Sequence, residues 1–173
     1  LLALLAPPPV SDWGFSTPYL PLSALISQMK ARYLPLAQLN AISLFTELPQ
    51  KEINAFADAH LAALVLEALV GNAIRFNRPG GQVIIRLQKS STQAQMSITD
   101  TGKGISSQKI PYLFSGSGQA KPLSPVSPSE TRPGGPGICL FRVKEAVSFL
   151  KGEISVESKP GKGTCFHVDL PLH

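Results

Sequence analysis

Cysteine, histidine and tryptophan are scarce in this chain. Its 173 residues include two cysteines, three histidines and one tryptophan. The two cysteines, Cys139 and Cys165, stand in unrelated segments, unlike the dense cysteine frameworks of small secreted domains. The scarcity argues against a disulfide-stabilised scaffold and favours a protein of the reducing cytoplasm.

Long apolar runs are also missing. The mean hydropathy of +0.11 is typical of a globular domain, and no stretch approaches the roughly 20 apolar residues that a membrane helix needs. Residues 1–5 are apolar but have no basic start and no cleavage site, which argues against a signal peptide. Because the sequence does not begin with Met, we expect a piece of a longer protein.

A concentrated basic patch is absent as well. The net charge is +5, from 16 Lys and Arg against 11 Asp and Glu. The basic residues are scattered and no aromatic residues alternate with them, which favours ordinary surface charge over a nucleic-acid site. We therefore expect no contact with nucleic acid. The short apolar runs likewise predict no contact with a membrane, and the chain is expected to be monomeric.

Hydrophobic periodicity predicts both helices and strands. Apolar residues at helical spacing predict three main helices, at about 22–33, 58–76 and 138–150. The first is expected to end before Pro35. Alternating residues predict strands at about 42–47, 83–88 and 93–99, and a hairpin within 153–170. Together these elements predict an α/β two-layer sandwich, in which three main helices cover one face of a mixed sheet of about five strands.

Two segments are rich in Pro, Gly and Ser. Residues 1–19 are expected to form an irregular N-terminal segment or linker, and residues 20–173 a single domain. Within that domain, residues 106–134 show little periodicity and few apolar anchors. This composition predicts a mobile lid that is poorly ordered without ligand.

The run Asp100-Thr101-Gly102-Lys103-Gly104-Ile105 is the most informative motif. It places an acid at the end of a predicted strand, followed by two glycines that let the backbone pass close to a flat ligand. The carboxylate can accept a hydrogen bond from an exocyclic amine such as that of adenine. The same acid could instead only cap a turn, and the motif alone has low specificity.

A polar side chain interrupts the apolar stripe of the long predicted helix. Asn72 falls on the stripe that begins at Leu61, so it is either a core amide with satisfied partners or a group that faces a ligand. Arg75 and Phe76 follow on the last turn. Arg75 could be a solvated charge at the helix end, and Phe76 could be plain core.

Two further segments complete the pattern. Gly134-Gly135-Pro136-Gly137 is a glycine-rich turn that opens a helix, an arrangement typical of phosphate binding. The run GEISVESKPGKGTCFHVDLPL closes the chain as strand, tight turn and strand.

In this order the segments resemble the ATP-binding catalytic domain of bacterial sensor histidine kinases, in the superfamily that includes gyrase, the heat-shock chaperone ATPase and the mismatch-repair ATPases. The resemblance covers about residues 20–172 and implies the Bergerat-type ATP-binding fold. It also implies ATP and Mg²⁺ as cofactors, and as partners a histidine-bearing dimerisation domain and a response regulator.

The resemblance implies a role for each matching residue. Asn72 would bind the metal and the phosphates, and Arg75 a phosphate. Asp100 would accept from the adenine amine, and Thr164 would reach the base through water, although a strand threonine is otherwise a surface residue. The full cofactor-binding set that it implies is Asn72, Arg75, Phe76, Asp100, Gly102, Gly104, Gly135, Gly137 and Thr164. Phe114 weakly resembles the aromatic residue beside the family's lid.

The chain also departs from the family pattern. None of its histidines, His60, His167 and His173, begins a phosphoacceptor helix. Ala68 stands where the family has a second Asn or Glu, one helical turn before Asn72. Glu67 is a possible catalytic group, but five residues from Asn72 it lies about 140° around the helix.

A last departure is Cys139, which replaces the final glycine of the glycine-rich box. Two functions therefore remain open. One is the catalytic domain of a two-component histidine kinase, which transfers the γ-phosphoryl group to a histidine outside this chain. The other is a degenerate ATP-binding-type module that acts as a scaffold or regulatory partner. An ATPase of the gyrase or mismatch-repair branch fits less well, because the long extensions of those proteins are missing.

Overall fold

A computed structural model describes residues 19–115 and 140–172 of the chain. It contains three α-helices, seven β-strands and one short 3₁₀ turn in this part of the sequence. In chain order the elements are β1 (Tyr19–Pro21), α1 (Leu22–Leu39), β2 (Ser43–Glu47), β3 (Asn54–Phe56), α2 (Ala59–Arg75), β4 (Gln82–Lys89), β5 (Gln93–Asp100), the 3₁₀ turn (Ile110–Tyr112), α3 (Leu140–Phe149), β6 (Glu153–Lys159) and β7 (Gly163–Pro171).

Five strands form the main sheet in the order β2-β4-β5-β7-β6. The β2–β4 pair is parallel and the other three pairs are antiparallel. Apolar side chains of β4, β5 and β7 alternate with exposed ones and pack against the helices in one continuous core. The predicted two-layer α/β sandwich, with a mixed five-stranded sheet and three helices on one face, is confirmed.

The first helix is longer than the sequence predicted. It continues through Pro35 to Leu39, although a proline inside a helix removes one backbone hydrogen bond and typically costs about 3 kcal/mol. Tyr33 and Ala37, on either side of the proline, are both buried in the core. Their packing outweighs the local penalty, so the prediction that the helix ends before Pro35 is wrong.

A small two-stranded sheet was not predicted. β1 pairs with β3 in antiparallel register, from Tyr19 opposite Phe56 to Pro21 opposite Asn54. Strands of three residues are too short to show a period-two pattern. β1 begins at Tyr19, which is the first residue that the structure describes and the last of the segment predicted to be irregular.

Glu67 ties α2 to α1. Its carboxylate forms an ion pair with the Arg32 guanidinium, and both side chains are nearly inaccessible, at 4% and 8% exposure. Burial raises the pKa of Glu67, while Arg32 acts in the opposite direction. The pair therefore sits in the interface between the two helices, where a single charge without its partner is costly.

Replacing Glu67 with Ala should destabilise the fold strongly. Removal of one partner from a buried ion pair typically costs about 3–5 kcal/mol, because the remaining charge stays in a poorly solvated place. Urea unfolding followed by circular dichroism measures the change. The matched control is Glu47→Ala, which breaks the half-exposed pair with Arg86 and should cost no more than about 1 kcal/mol. Equal losses for the two variants would show that the Glu67–Arg32 pair is not structurally important.

Candidate functional site

A cavity of about 560 Å³ opens beside the C-terminal end of α2. This volume is within the range of small-ligand sites, which is about 300–1,000 Å³. The loop after β5, the start of α3 and the start of β7 form its other walls. Of the residues that the sequence predicted for a binding site, the cavity is lined by Asn72, Arg75, Phe76, Asp100, Gly104 and Thr164.

Strand alternation places Asp100 inside the molecule. Ala94, Met96 and Ile98 of β5 are buried against the helices, and successive side chains of a strand point to opposite faces. Asp100 continues this even-numbered series and is itself buried. Thr164 lies directly opposite it on β7, so the two polar side chains meet on the helix-covered side of the sheet.

The Asp100 carboxylate is held by backbone donors. Its Oδ1 accepts a hydrogen bond from the Gly102 N–H at 2.7 Å, a contact two residues along the chain that is typical of a turn-capping aspartate. Burial raises the pKa of Asp100, and the N–H groups of Gly102 and Thr164 oppose that rise. Asp100 therefore caps the turn and also lines the cavity, and its predicted hydrogen bond to adenine stays a prediction.

The two glycines after Asp100 let the loop approach its neighbours closely. A Cβ on Gly102 would lie 2.4 Å from the carbonyl oxygen of Phe76, and one on Gly104 would lie 2.0 Å from that of Lys159. Gly104 also has a φ of +70°, a left-handed conformation that favours glycine. Between them, the Lys103 N–H donates to the Phe76 carbonyl at 3.1 Å. The glycines thus fix the loop against the end of α2 and the β6–β7 turn.

Thr164 belongs to a short hydroxyl network. Its Oγ1 lies 2.8 Å from the Oγ of Ser158, which also accepts from the Ile105 N–H and donates to the Gly163 carbonyl. Since Ser158 has one hydroxyl proton and gives it to Gly163, Thr164 is the donor of the pair. The lone pairs of Thr164 then stay available to accept a hydrogen bond from a ligand.

Aromatic side chains form part of the cavity wall. Phe76 is 53% exposed, so it is not a plain core residue. Phe114 packs edge-to-face on Phe166, with ring centroids 6.4 Å apart, and the Lys144 ammonium lies 5.8 Å from the centre of the Phe114 ring. Phe114 does not line the cavity itself; it supports Phe166, which does.

Three cationic side chains line the cavity. Arg75 comes from the last turn of α2, Lys103 from the glycine loop and Lys109 from the segment before the 3₁₀ turn. The sequence indicated Arg75 but not the two lysines, because nothing in their local pattern marks them. Asp100 is the single acid among the described lining residues.

Oxygen ligands for a metal are few. Asn72 is half-buried and lines the cavity, but Ala68, one turn earlier, is buried and apolar. Glu67 is paired with Arg32 and lies outside the lining. Among residues 19–115 and 140–172, no three His, Cys, Asp or Glu side chains cluster closely enough to hold a metal ion. The described lining offers a magnesium ion the carboxylate of Asp100 and the neutral side-chain oxygens of Asn72, Ser106 and Thr164. Because the one carboxylate already accepts from the Gly102 N–H, the set fits the ion poorly.

Part of the predicted site lies outside the described residues. This applies to Gly135, Gly137 and Cys139 of the glycine-rich box, to residues 116–134 of the predicted lid and to His173. Within the described part of the chain, no helix combines the length and apolar character needed to cross a membrane.

Comparison with known proteins gives consistent matches. Over 153 residues the chain is 29% identical to the adaptive-response sensory kinase SasA of Crocosphaera subtropica. The aligned region covers 88% of this chain and 38% of SasA. The chain therefore spans about two fifths of the length of that relative.

Solved structures share the fold. The catalytic domain of histidine kinase ThkA superposes with a TM-score of 0.73 at 20% identity, covering 88% of this chain and 94% of that domain. The same kinase in complex with response regulator protein TrrA superposes with a TM-score of 0.67 at 20% identity, covering 90% of this chain and 41% of that one.

Residues 57–173 match the family described as histidine kinase-, DNA gyrase B- and HSP90-like ATPases. The match includes α2, the cavity and the four antiparallel strands of the main sheet, which are the parts that carry the candidate site. The chain belongs to this ATPase family, and its fold is that of a histidine kinase catalytic domain.

Proposed function

We propose that this chain binds ATP in the cavity beside α2 and serves as the catalytic domain of a sensor histidine kinase. In the parent protein it would present the γ-phosphoryl group to a histidine of a dimerisation domain outside this chain. The observation that carries the proposal is the buried Asp100 carboxylate, which shares one cavity with aromatic and cationic side chains.

The base end of the cavity suits adenine. A buried carboxylate is a strong acceptor for an exocyclic amine, and Asp100 is held in place by backbone donors. Thr164 offers lone pairs beside it, either directly or through water. The half-exposed ring of Phe76 supplies an apolar surface for a flat base.

The phosphate end would be formed by cations. Arg75, Lys103 and Lys109 line the same cavity as Asp100, and guanidinium and ammonium groups are the common side-chain ligands of phosphate. In such a site the chain contributes position and charge to phosphoryl transfer. The magnesium expected at Asn72 has no part in this proposal, because the described lining offers it a single carboxylate, which already accepts from the Gly102 N–H.

The acceptor histidine would come from elsewhere. His60 lies exposed in the first turn of α2, and His167 lies on the face of the sheet away from the helices. Neither lines the cavity. A response regulator would then take the phosphoryl group from the histidine domain, a partner suggested by the ThkA–TrrA complex.

A second function is a degenerate module that binds nucleotide or a partner without turnover. The observation that favours it is Ala68, which is apolar where the resembled kinases have an oxygen ligand. The scaffold hypothesis and the kinase hypothesis share the fold and the base end of the cavity. They differ in whether any phosphoryl group is transferred.

Replacing Asp100 with Asn should weaken ATP binding by about 1–3 kcal/mol, because a charge-assisted hydrogen bond is lost. Isothermal titration calorimetry measures the change. The control is Asp169→Asn on β7, since Asp169 lies on the opposite face of the sheet and outside the cavity. Equal ATP affinity of the parent chain and the Asp100→Asn variant would show that Asp100 is not part of the ATP site.

The isolated chain should not phosphorylate itself, since no histidine among the described residues lies at the cavity. Incubation with radiolabelled ATP, followed by acid and base treatment, detects phosphohistidine. When a histidine domain is supplied in trans, we expect transfer well below the rate of about 1 per second that active kinases reach. Transfer at that rate would exclude the degenerate hypothesis.

A further inference from the structure

We propose that this chain binds adenine nucleotides without magnesium, and that Arg75, Lys103 and Lys109 neutralise the phosphates in its place. This inference rests on the proposed nucleotide-binding function and concerns how the same cavity handles charge. The juxtaposition of three cations with a single carboxylate, which already accepts a hydrogen bond from the Gly102 N–H, is the observation that carries it.

The first step is the shortage of metal ligands. Magnesium requires six oxygens in near-octahedral geometry, and proteins usually hold it through one or two carboxylates plus phosphates and water. Asp100 is the single carboxylate in the described lining, and its Oδ1 already accepts from Gly102. The residue one turn before Asn72 is Ala68, and the nearby Glu67 is ion-paired with Arg32. Asn72 alone is left as a side-chain donor on α2.

The second step is the supply of positive charge. The three cations come from three separate segments and converge on one cavity. None of the salt bridges found within residues 19–115 and 140–172 involves Arg75, Lys103 or Lys109. Their charges are therefore not already neutralised by a carboxylate of the described chain, and they can pair with a multiply charged ligand.

The third step compares the two ways to offset phosphate charge. A divalent ion neutralises adjacent oxygens, but it must be held by the protein to add affinity. Cationic side chains already fixed to the loop and to α2 add affinity without a metal. Where both are present they compete, because a magnesium ion bound to the phosphates removes the negative charge that the cations would contact. In this cavity we expect the cationic side chains, rather than a magnesium ion, to offset the phosphate charge.

The alternative is that these three residues are ordinary solvated surface charges. They are exposed in the structure, and exposed charges are screened by salt. Surface charges would attract a nucleotide weakly and without regard to position. If the cations contact the phosphates, the chain binds ATP more tightly than adenosine. Removing any one of these charges then weakens ATP binding more than removing a neighbouring charge outside the cavity.

The test is calorimetric titration of the chain with ATP and with adenosine, in excess EDTA and in excess magnesium chloride. We expect ATP to bind in EDTA at least as tightly as in magnesium. In EDTA, ATP should bind at least about thirtyfold more tightly than adenosine, which is the product of three phosphate contacts worth about threefold each.

Charge variants locate the effect. Arg75→Gln, Lys103→Gln and Lys109→Gln should each weaken ATP binding in EDTA by about three- to tenfold and leave adenosine binding unchanged. The matched control is Arg78→Gln, which removes the same charge from an exposed position just past α2, outside the cavity lining. It should leave both affinities unchanged. Unfolding midpoints confirm that each variant is folded.

The outcomes separate this inference from the function on which it depends. ATP binding that requires magnesium overturns the inference and leaves the proposed function standing. Equal affinity for ATP and adenosine in EDTA, or equal losses in the Arg78 control and the cavity variants, also overturns it. The absence of ATP binding in both buffers overturns the proposed function, and the inference with it.

Discussion

The end of strand β5 places one carboxylate beneath the helix layer, and the candidate site depends on that placement. Because side chains alternate along a strand, the buried series of β5 ends with Asp100 on the helix-covered face. The register with β7 brings Thr164 opposite to it. The loop that follows contains Gly102 and Gly104, whose backbones approach neighbouring carbonyl oxygens too closely for a larger residue. The acid, its neighbour and the loop are thus fixed by the sheet itself.

Much of this arrangement could be predicted from the sequence, because it follows from periodicity. The alternation of β4, β5 and β7 and the apolar stripe of α2 are long enough to identify their elements. Features that depend on distant packing were missed. α1 passes through Pro35 because Tyr33 and Ala37 are buried on both sides of it, and no local signal reports such burial. The β1–β3 ribbon is too short for any pattern.

In the candidate site, too, residues on regular elements could be predicted and residues placed by distant packing could not. Asp100, Thr164 and Asn72 lie on regular elements, and their placement follows from strand or helix geometry. Lys103, Lys109 and Ser158 were not predicted as site residues, since a loop lysine gives no sign of what it faces and a strand serine does so only once its register is known. Ser158 could have been found from the hairpin register, which places it opposite Thr164. The lysines required the path of the loop, and that path depends on the close contacts of Gly102 and Gly104.

The cavity lining combines buried and exposed polar residues, and this difference allows one group to change without the other. Asp100 and Thr164 are buried in the sheet; Asp100 accepts from the Gly102 N–H, and Thr164 is hydrogen-bonded to the Ser158 hydroxyl. Changes there would disturb the core. The cations of the lining are exposed on α2 and on the loop after β5, where substitutions cost little stability. A chain with this fold can therefore keep the buried carboxylate while the exposed cations of the cavity lining change. Under the proposed function, such substitutions would alter contacts to phosphate before they altered recognition of the base.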